Sequence, residues 1–221
     1  MTAKKGSRVA LVAAVVACVS VGGATLAVRR HLVEGYYQWK LRSAQDVEQI
    51  AAIQVLTDLG AESSVELILD VLEQEMTENG CHLDTTDEGH LILVLPLSGY
   101  NAALPIRCIE SLRSLAMTKP KEVSARLLRF LATGSLVRRF VATQLVGDIG
   151  ESTPFASAAV GDIVTNLHQS DSTLQHCAIV ALRKLKNLAR PAIPRLRELV
   201  RCENTKVANA ARVAVVDIGR N

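Results

Sequence analysis

One feature constrains this chain more than any other: a segment of fourteen residues recurs with both ends intact. It reads Val47-Glu-Gln-Ile-Ala-Ala-Ile-Gln-Val-Leu-Thr-Asp-Leu-Gly60, then Val137-Arg-Arg-Phe-Val-Ala-Thr-Gln-Leu-Val-Gly-Asp-Ile-Gly150. A third copy, Val207-Ala-Asn-Ala-Ala-Arg-Val-Ala-Val-Val-Asp-Ile-Gly219, is one residue shorter. Each begins with Val, places Ala where a neighbouring helix must come close, and ends Asp-Leu/Ile-Gly. The Gly suits a helix C-cap, because it takes the left-handed conformation at little cost. Leu174 to Leu188 keeps the apolar spacing and loses the Gly. Repetition at such a period signals a stack of similar units, none able to bury its apolar stripe alone.

Start signals place the remaining helices. Asp46…Gln49, Ser63…Glu66 and Ser172…Gln175 have the spacing of capping boxes. Pro120, Pro154, Pro191 and Pro194 stand where a helix can begin without its first N–H groups. The pattern predicts alternating A and B helices. The A helices are expected near 31–43, 63–77, 120–133, 153–169 and 191–202, and the B helices near 46–60, 102–116, 135–150, 172–188 and 205–219. Aromatic residues make up only 3% of the chain, against 49% hydrophobic overall, which favours thin layers of Leu, Ala and Val helices.

The B segments resemble the HEAT-like repeat family of the lyase type, whose B helix runs approximately Val-Arg-x-x-Ala-Ala-x-Ala-Leu-Gly-x-Ile-Gly. Ala192-Ile-Pro-Arg-Leu-Arg-Glu-Leu-Val200 is similar to its A helix. The resemblance is clear over 135–219, fair over 44–76 and weak between. It implies an all-α fold, an α-α superhelix (HEAT/armadillo-like solenoid) of about five helix pairs over 31–221, with a curved surface that binds partners. It does not imply an enzyme. Some members assist chromophore attachment, which makes an accessory that presents a client protein or chromophore to an enzyme the alternative reading. The chain departs from the family at the Arg after Val: Arg138 keeps it, whereas Glu48, Gln175 and Ala208 replace it. A hydrogen-bond ladder built on that Arg is therefore not expected.

Residues 1–8 form a basic tail, and Val9 to Val28 is a run of 20 residues without charge. At a helical rise that run spans about 30 Å, the thickness of a hydrocarbon core. Lys4, Lys5 and Arg8 precede it and Arg29 and Arg30 follow. The expectation is a single-pass transmembrane helix over 9–28. A secretory signal cleaved near Gly22-Gly23-Ala24 and a lipoprotein-type signal at Val15-Val16-Ala17-Cys18 are the alternatives. Flanking charge is nearly balanced and leaves the orientation open. Cys18, Cys81, Cys108, Cys177 and Cys202 are odd in number and scattered, which reads as reduced thiols and favours a cytoplasmic body. His31 to Ser43 follows, rich in aromatics. It is read either as an interfacial belt or, preferably, as the first packed helix, with Leu32, Tyr36 and Trp39 facing the core.

Residues 80–97 break the helical pattern. The apolar run His90-Leu-Ile-Leu-Val-Leu95 after Asp87-Glu88-Gly89 predicts a β-hairpin insertion, with Cys81-His-Leu-Asp84 pairing back. Its apolar strand should lie on the solenoid, a partner or another copy. Cys81, His82, Asp84, Asp87 and His90 are of metal-ligating types, but their spacing matches no standard site. The sequence holds no Gly-rich phosphate loop and no GxSxG elbow, and His31, His82, His90, His168 and His176 form no His-Glu pairs. No catalytic residue, cofactor site or metal site is assigned.

Charge is the leading functional clue. From Ser43 to Ile106 there are twelve acids and no Lys or Arg. From Ser172 to Arg212 there are nine basic residues and two acids. In a stacked array these stretches are expected at opposite ends. The basic end nominates Arg183, Lys184, Lys186, Arg190, Arg197 and Arg201 as a partner-binding surface for an acidic protein, with anionic lipid as a further option. Head-to-tail self-association is another outcome of such a dipole. Nucleic acid is disfavoured, because 172–212 contains no aromatic side chain for base stacking. The overall expectation is a membrane-tethered, non-catalytic scaffold for protein–protein interaction.

Overall fold

The computed structural model describes residues 26–43, 46–86, 90–94, 102–150, 153 and 155–220. The tail 1–8, most of the expected span 9–28, Asp87 and Pro154 lie outside these residues. Among the described residues no helix is long and apolar enough to cross a membrane.

Ten α-helices are described. α1 (Leu26–Ser43), α2 (Asp46–Asp58) and α3 (Val65–Asn79) come first, with a short 3-10 turn at Glu62–Ser64. Strands β1 (His82–Thr85) and β2 (Leu91–Val94) follow. Then come α4 (Ala103–Thr118), α5 (Pro120–Thr133), α6 (Leu136–Ile149), α7 (Ala156–Asn166) and α8 (Ser172–Lys184). A 3-10 segment, Lys186–Ala192, leads into α9 (Ile193–Leu199) and α10 (Thr205–Arg220). The expected helices are thus present, with shifted ends. α1 begins five residues early, and α8 stops before Leu188 because the chain tightens there.

The helices pack in two layers. α2, α4, α6, α8 and α10 touch in succession and form one layer. The odd-numbered helices form the other, each against its following even-numbered partner. Position in the stack explains composition. α6 buries every residue from Phe140 to Gly147, and α8 buries Leu174 and His176 to Leu182, because neighbours enclose both. α5 and α10 carry a single apolar stripe, since each has one side to solvent. α6 and α8 come close at Gly147, where an added Cβ would lie 2.9 Å from Ala181 Cα.

Several local expectations are corrected. Gly60 and Gly150 do end their helices at positive φ, but Gly219 is helical inside α10 and caps nothing. The cap of α8 is Asp171, not Ser172: its carboxylate accepts from the Leu174 N–H at 2.7 Å. Gln175 instead donates to the Gln169 carbonyl at 2.6 Å, reaching into the preceding loop. Ser63 donates to Glu34, and Glu66 turns to arginines of α5, so no capping box closes there. On α1 the core face is Leu41 with Tyr37; Leu32 and Trp39 are 38% and 41% exposed. The rotation is set by Gln38, which donates to Ser63 and Ser64, and this turns the Leu32–Trp39 side outward.

The insertion is an antiparallel hairpin pairing Leu83 with Leu93 and Thr85 with Leu91. Its more buried strand is β1, which packs on α8 through Leu83 and Thr85. The more apolar β2 lies on the stack by one face only: Leu91 and Leu93 pack against the core, whereas Ile92 is 40% exposed. Alternation decides this: Leu91 and Leu93 share the inward face, and Ile92 between them must point away.

Candidate interaction site

The six nominated basic residues differ in what they touch. Arg183 and Lys184, in the last turn of α8, are engaged within the fold. Arg183 Nε lies 3.0 Å from Asp217 of α10, and Lys184 Nζ lies 2.7 Å from Asp148 of α6. Lys186 is exposed and holds a left-handed backbone (φ 48°) at the turn out of α8. Arg190, Arg197 and Arg201 are exposed and make no ion pair with the described residues. Arg190 precedes α9 and Arg201 follows it, so about 10 Å of helix separates them.

What binds Arg183 and Lys184 is a charge ladder along the C-terminal turns of the even-numbered helices. Arg113 of α4 donates to Asp148 of α6 at 3.1 Å, Asp148 also receives Lys184 of α8, and Arg183 of α8 reaches Asp217 of α10. Nearer the start of α4, outside that line, Arg107 donates to Gln54 of α2 at 3.0 Å, and Gln54 donates on to Asp58 at 2.7 Å. From α4 to α10, base and acid therefore alternate from helix to helix. A carboxylate in the last turn of a helix is opposed by the helix dipole, so it needs a cation brought from a neighbour. The ladder was legible in part, because Asp58, Asp148 and Asp217 are the Asp of each Asp-Leu/Ile-Gly ending.

The acidic stretch is likewise partly neutralised from within. Glu66 of α3 meets Arg126 and Arg129 of α5, and the first of these is 3.2 Å away. The hydrogen bond from Arg129 is the main influence that holds the Glu66 carboxyl below its ordinary range, over a smaller opposing effect of burial. Arg138 of α6 pairs with Asp70 and with Glu73, the latter at 3.0 Å. The one family-type Arg thus joins an odd-numbered helix to an even-numbered one and takes no part in the ladder.

The hairpin breaks the separation of the acidic and basic stretches at one point. Asp84 of β1 accepts from Lys206 of α10 at 2.9 and 3.0 Å, 122 residues away in sequence. Burial raises the Asp84 pKa, but hydrogen bonds from Lys206 and the Thr85 N–H, with the Lys206 and His176 charges, leave it below the ordinary value. His176 is fully buried in the stretch of α8 that β1 covers. The hairpin thus carries an acid onto the basic end.

No group of three metal-ligating side chains occurs among the described residues. Cys81 and Asp84, two of the candidates, are a buried thiol and an ion-paired carboxylate. Cys177 is fully buried with its thiol 3.7 Å from the Phe140 carbonyl oxygen, and burial pushes its pKa up to about 12, as for Cys108. Both therefore stay almost wholly as thiols at neutral pH.

No protein-family model matches the chain, and no curated protein matches it. Among solved structures, the crystal structure of an engineered protein is similar at 16% identity with a TM-score of 0.47, covering 84% of this chain and 78% of that one.

Proposed function

We propose that this protein is a membrane-tethered, non-catalytic binding module of the HEAT-like type, its paired helices stacked as a solenoid that holds an acidic protein partner. The observation that supports the reading is the state of the basic residues. The ladder consumes Arg183 and Lys184, while Arg197 and Arg201 stay exposed and unpaired among the described residues at the last helix pair. Exposed guanidinium groups with no internal partner favour planar carboxylates on another surface. The repeated Asp-Leu/Ile-Gly endings support the family assignment, and the uncharged run 9–28 supports the tether. The scattered free thiols support a body on the reducing side of the membrane.

The test uses the full-length chain in its native membranes. Carbonate washing should leave it in the membrane pellet. After detergent extraction and cross-linking, the wild-type chain should migrate as a salt-sensitive complex, and the Arg197→Glu/Arg201→Glu variant should migrate alone. A wild-type chain that migrates alone would remove the scaffold reading.

A further inference from the structure

The edge of the stack that carries the ladder is also the edge from which α1 enters. Arg30, near the start of α1, donates to the Leu59 carbonyl at 2.6 Å and lies 3.5 Å from that of Gly60. A Cβ on Gly60 would lie 3.2 Å from Lys119 Cε, at the junction of α4 and α5. Arg113, Asp148 and Lys184 continue the line, and Arg183 with Asp217 completes it. The starts of the odd-numbered helices and the ends of the even-numbered ones therefore share one edge.

That edge is basic on balance. Lys121, Lys186, Arg190 and Arg220 are exposed there, Lys119 is half-buried, and Met117 is 55% exposed beside them. Asp148 and Asp217, which would oppose them, are neutralised in the ladder. Asp58, Glu62 and Glu122 stand on the same edge and reduce its charge without reversing it.

Chain continuity supplies the second argument. The uncharged run Val9–Val28 ends inside α1, whose first three residues are Leu26, Ala27 and Val28. A segment that crosses hydrocarbon must be helical. Arg30, two residues and about 3 Å beyond Val28, is already tied to the end of α2. The last three residues of the run are thus helical within α1, and no loop follows Val28 before the body begins.

We propose that the stack lies lengthwise along the bilayer, its helices near the membrane normal, with the Met117–Arg220 edge on anionic lipid headgroups. This orientation rests on the anchor reading above. It assigns Arg190 to lipid and leaves Arg201, at the other end of α9, to a protein partner.

The experiment uses the full-length chain with Cys18→Ser and Cys202→Ser, carrying Met117→Cys on the proposed edge or Leu136→Cys on the opposite one. Each is labelled with a fluorophore and reconstituted in vesicles of phosphatidylcholine, with or without phosphatidylglycerol, containing headgroup spin-labelled lipid. Quenching at position 117 should exceed that at 136 by about fivefold in anionic vesicles and fall with Lys119→Glu/Lys121→Glu/Arg190→Glu or high salt. A chain that carbonate washes from the vesicles overturns the anchor and this orientation together. A retained chain quenched equally at both positions overturns the orientation alone. Edge-selective quenching indifferent to lipid charge and to the three reversals overturns headgroup recognition.

Discussion

Asp148 of α6 accepts from Lys184 of α8 at 2.7 Å and from Arg113 of α4 at 3.1 Å, so one carboxylate ties three successive helices together. Its side chain is 16% exposed, less than either cation, and it sits in the last turn of its helix, where the dipole disfavours it. Arg113→Ala or Lys184→Ala alone should each cost under about 1 kcal/mol, because the other cation remains. The double variant should cost more than the sum by about 0.5–1 kcal/mol, since the carboxylate is then unopposed. Urea denaturation of the four chains measures the coupling, and strict additivity would show that the two cations act independently.

The hairpin is held at its far side by one ion pair, Asp84 with Lys206. Two strands are marginal alone, so β1 depends on α8 beneath it and on this latch. Lys206→Ala should speed amide exchange in β1 about fivefold while moving the global unfolding free energy by less than about 1 kcal/mol, because Lys206 is 43% exposed. The pH dependence has a definite sign. Asp84 has a lowered pKa in the fold, so its contribution is present above the ordinary carboxylate range and fades as pH falls through the lowered value. A fall in the β1 protection factors, with the intrinsic pH dependence of amide exchange divided out, on acidification below about pH 4 and absent in Lys206→Ala, is the expected signature.

The sequence carried the helices and hid the contacts between them. Pro120 marks the start of α5 and Gly150 the end of α6, because both act through their own backbone, which is local information. The rotation of α1 is not written in its own residues, because Tyr37 and Leu41 pack on neighbouring helices while Gln38 meets Ser63 and Ser64 across the stack. Gly219 looks like its two counterparts, yet α10 continues through it to Arg220. The charge segregation is real along the chain, but the hairpin folds Asp84 back to Lys206 and arginines of α5 and α6 reach the acids of α3. A basic cluster read from composition therefore overstates what remains at the surface. Two of its six members are bonded to Asp148 and Asp217, and α9 divides two others.

Close approach of α6 and α8 depends on the absence of a side chain at Gly147. A methyl group there would come within 2.9 Å of Ala181 Cα and 3.0 Å of its Cβ, both on a helix that is itself enclosed. Gly147→Ala would raise helix propensity by about 1 kcal/mol, but the two helices must separate to admit it. The expected net effect is a loss of about 1–3 kcal/mol, as for other overpacked cores. Ala181→Gly in the same chain should recover part of the loss by removing one of the two opposing atoms. A Gly147→Ala chain as stable as wild type in thermal unfolding would mean that α6 and α8 are not held at this spacing.

The thiols report on the same packing from another side. Cys108 and Cys177 are fully buried, and burial pushes both thiols to about 12, so at neutral pH almost no thiolate forms. Cys81 is buried and raised as well, whereas Cys202 is partly exposed beside the Asn204 carbonyl. In the folded chain Cys202 should be the first of these four to react with a disulfide reagent at pH 7.5. Cys108 and Cys177 should lag by about a thousandfold or more, since both access and thiolate fraction are denied them. In urea all four should react at similar rates. Mass spectrometry after timed labelling separates the sites, and fast modification of Cys177 in the native chain would show that α8 opens from α6 under the hairpin.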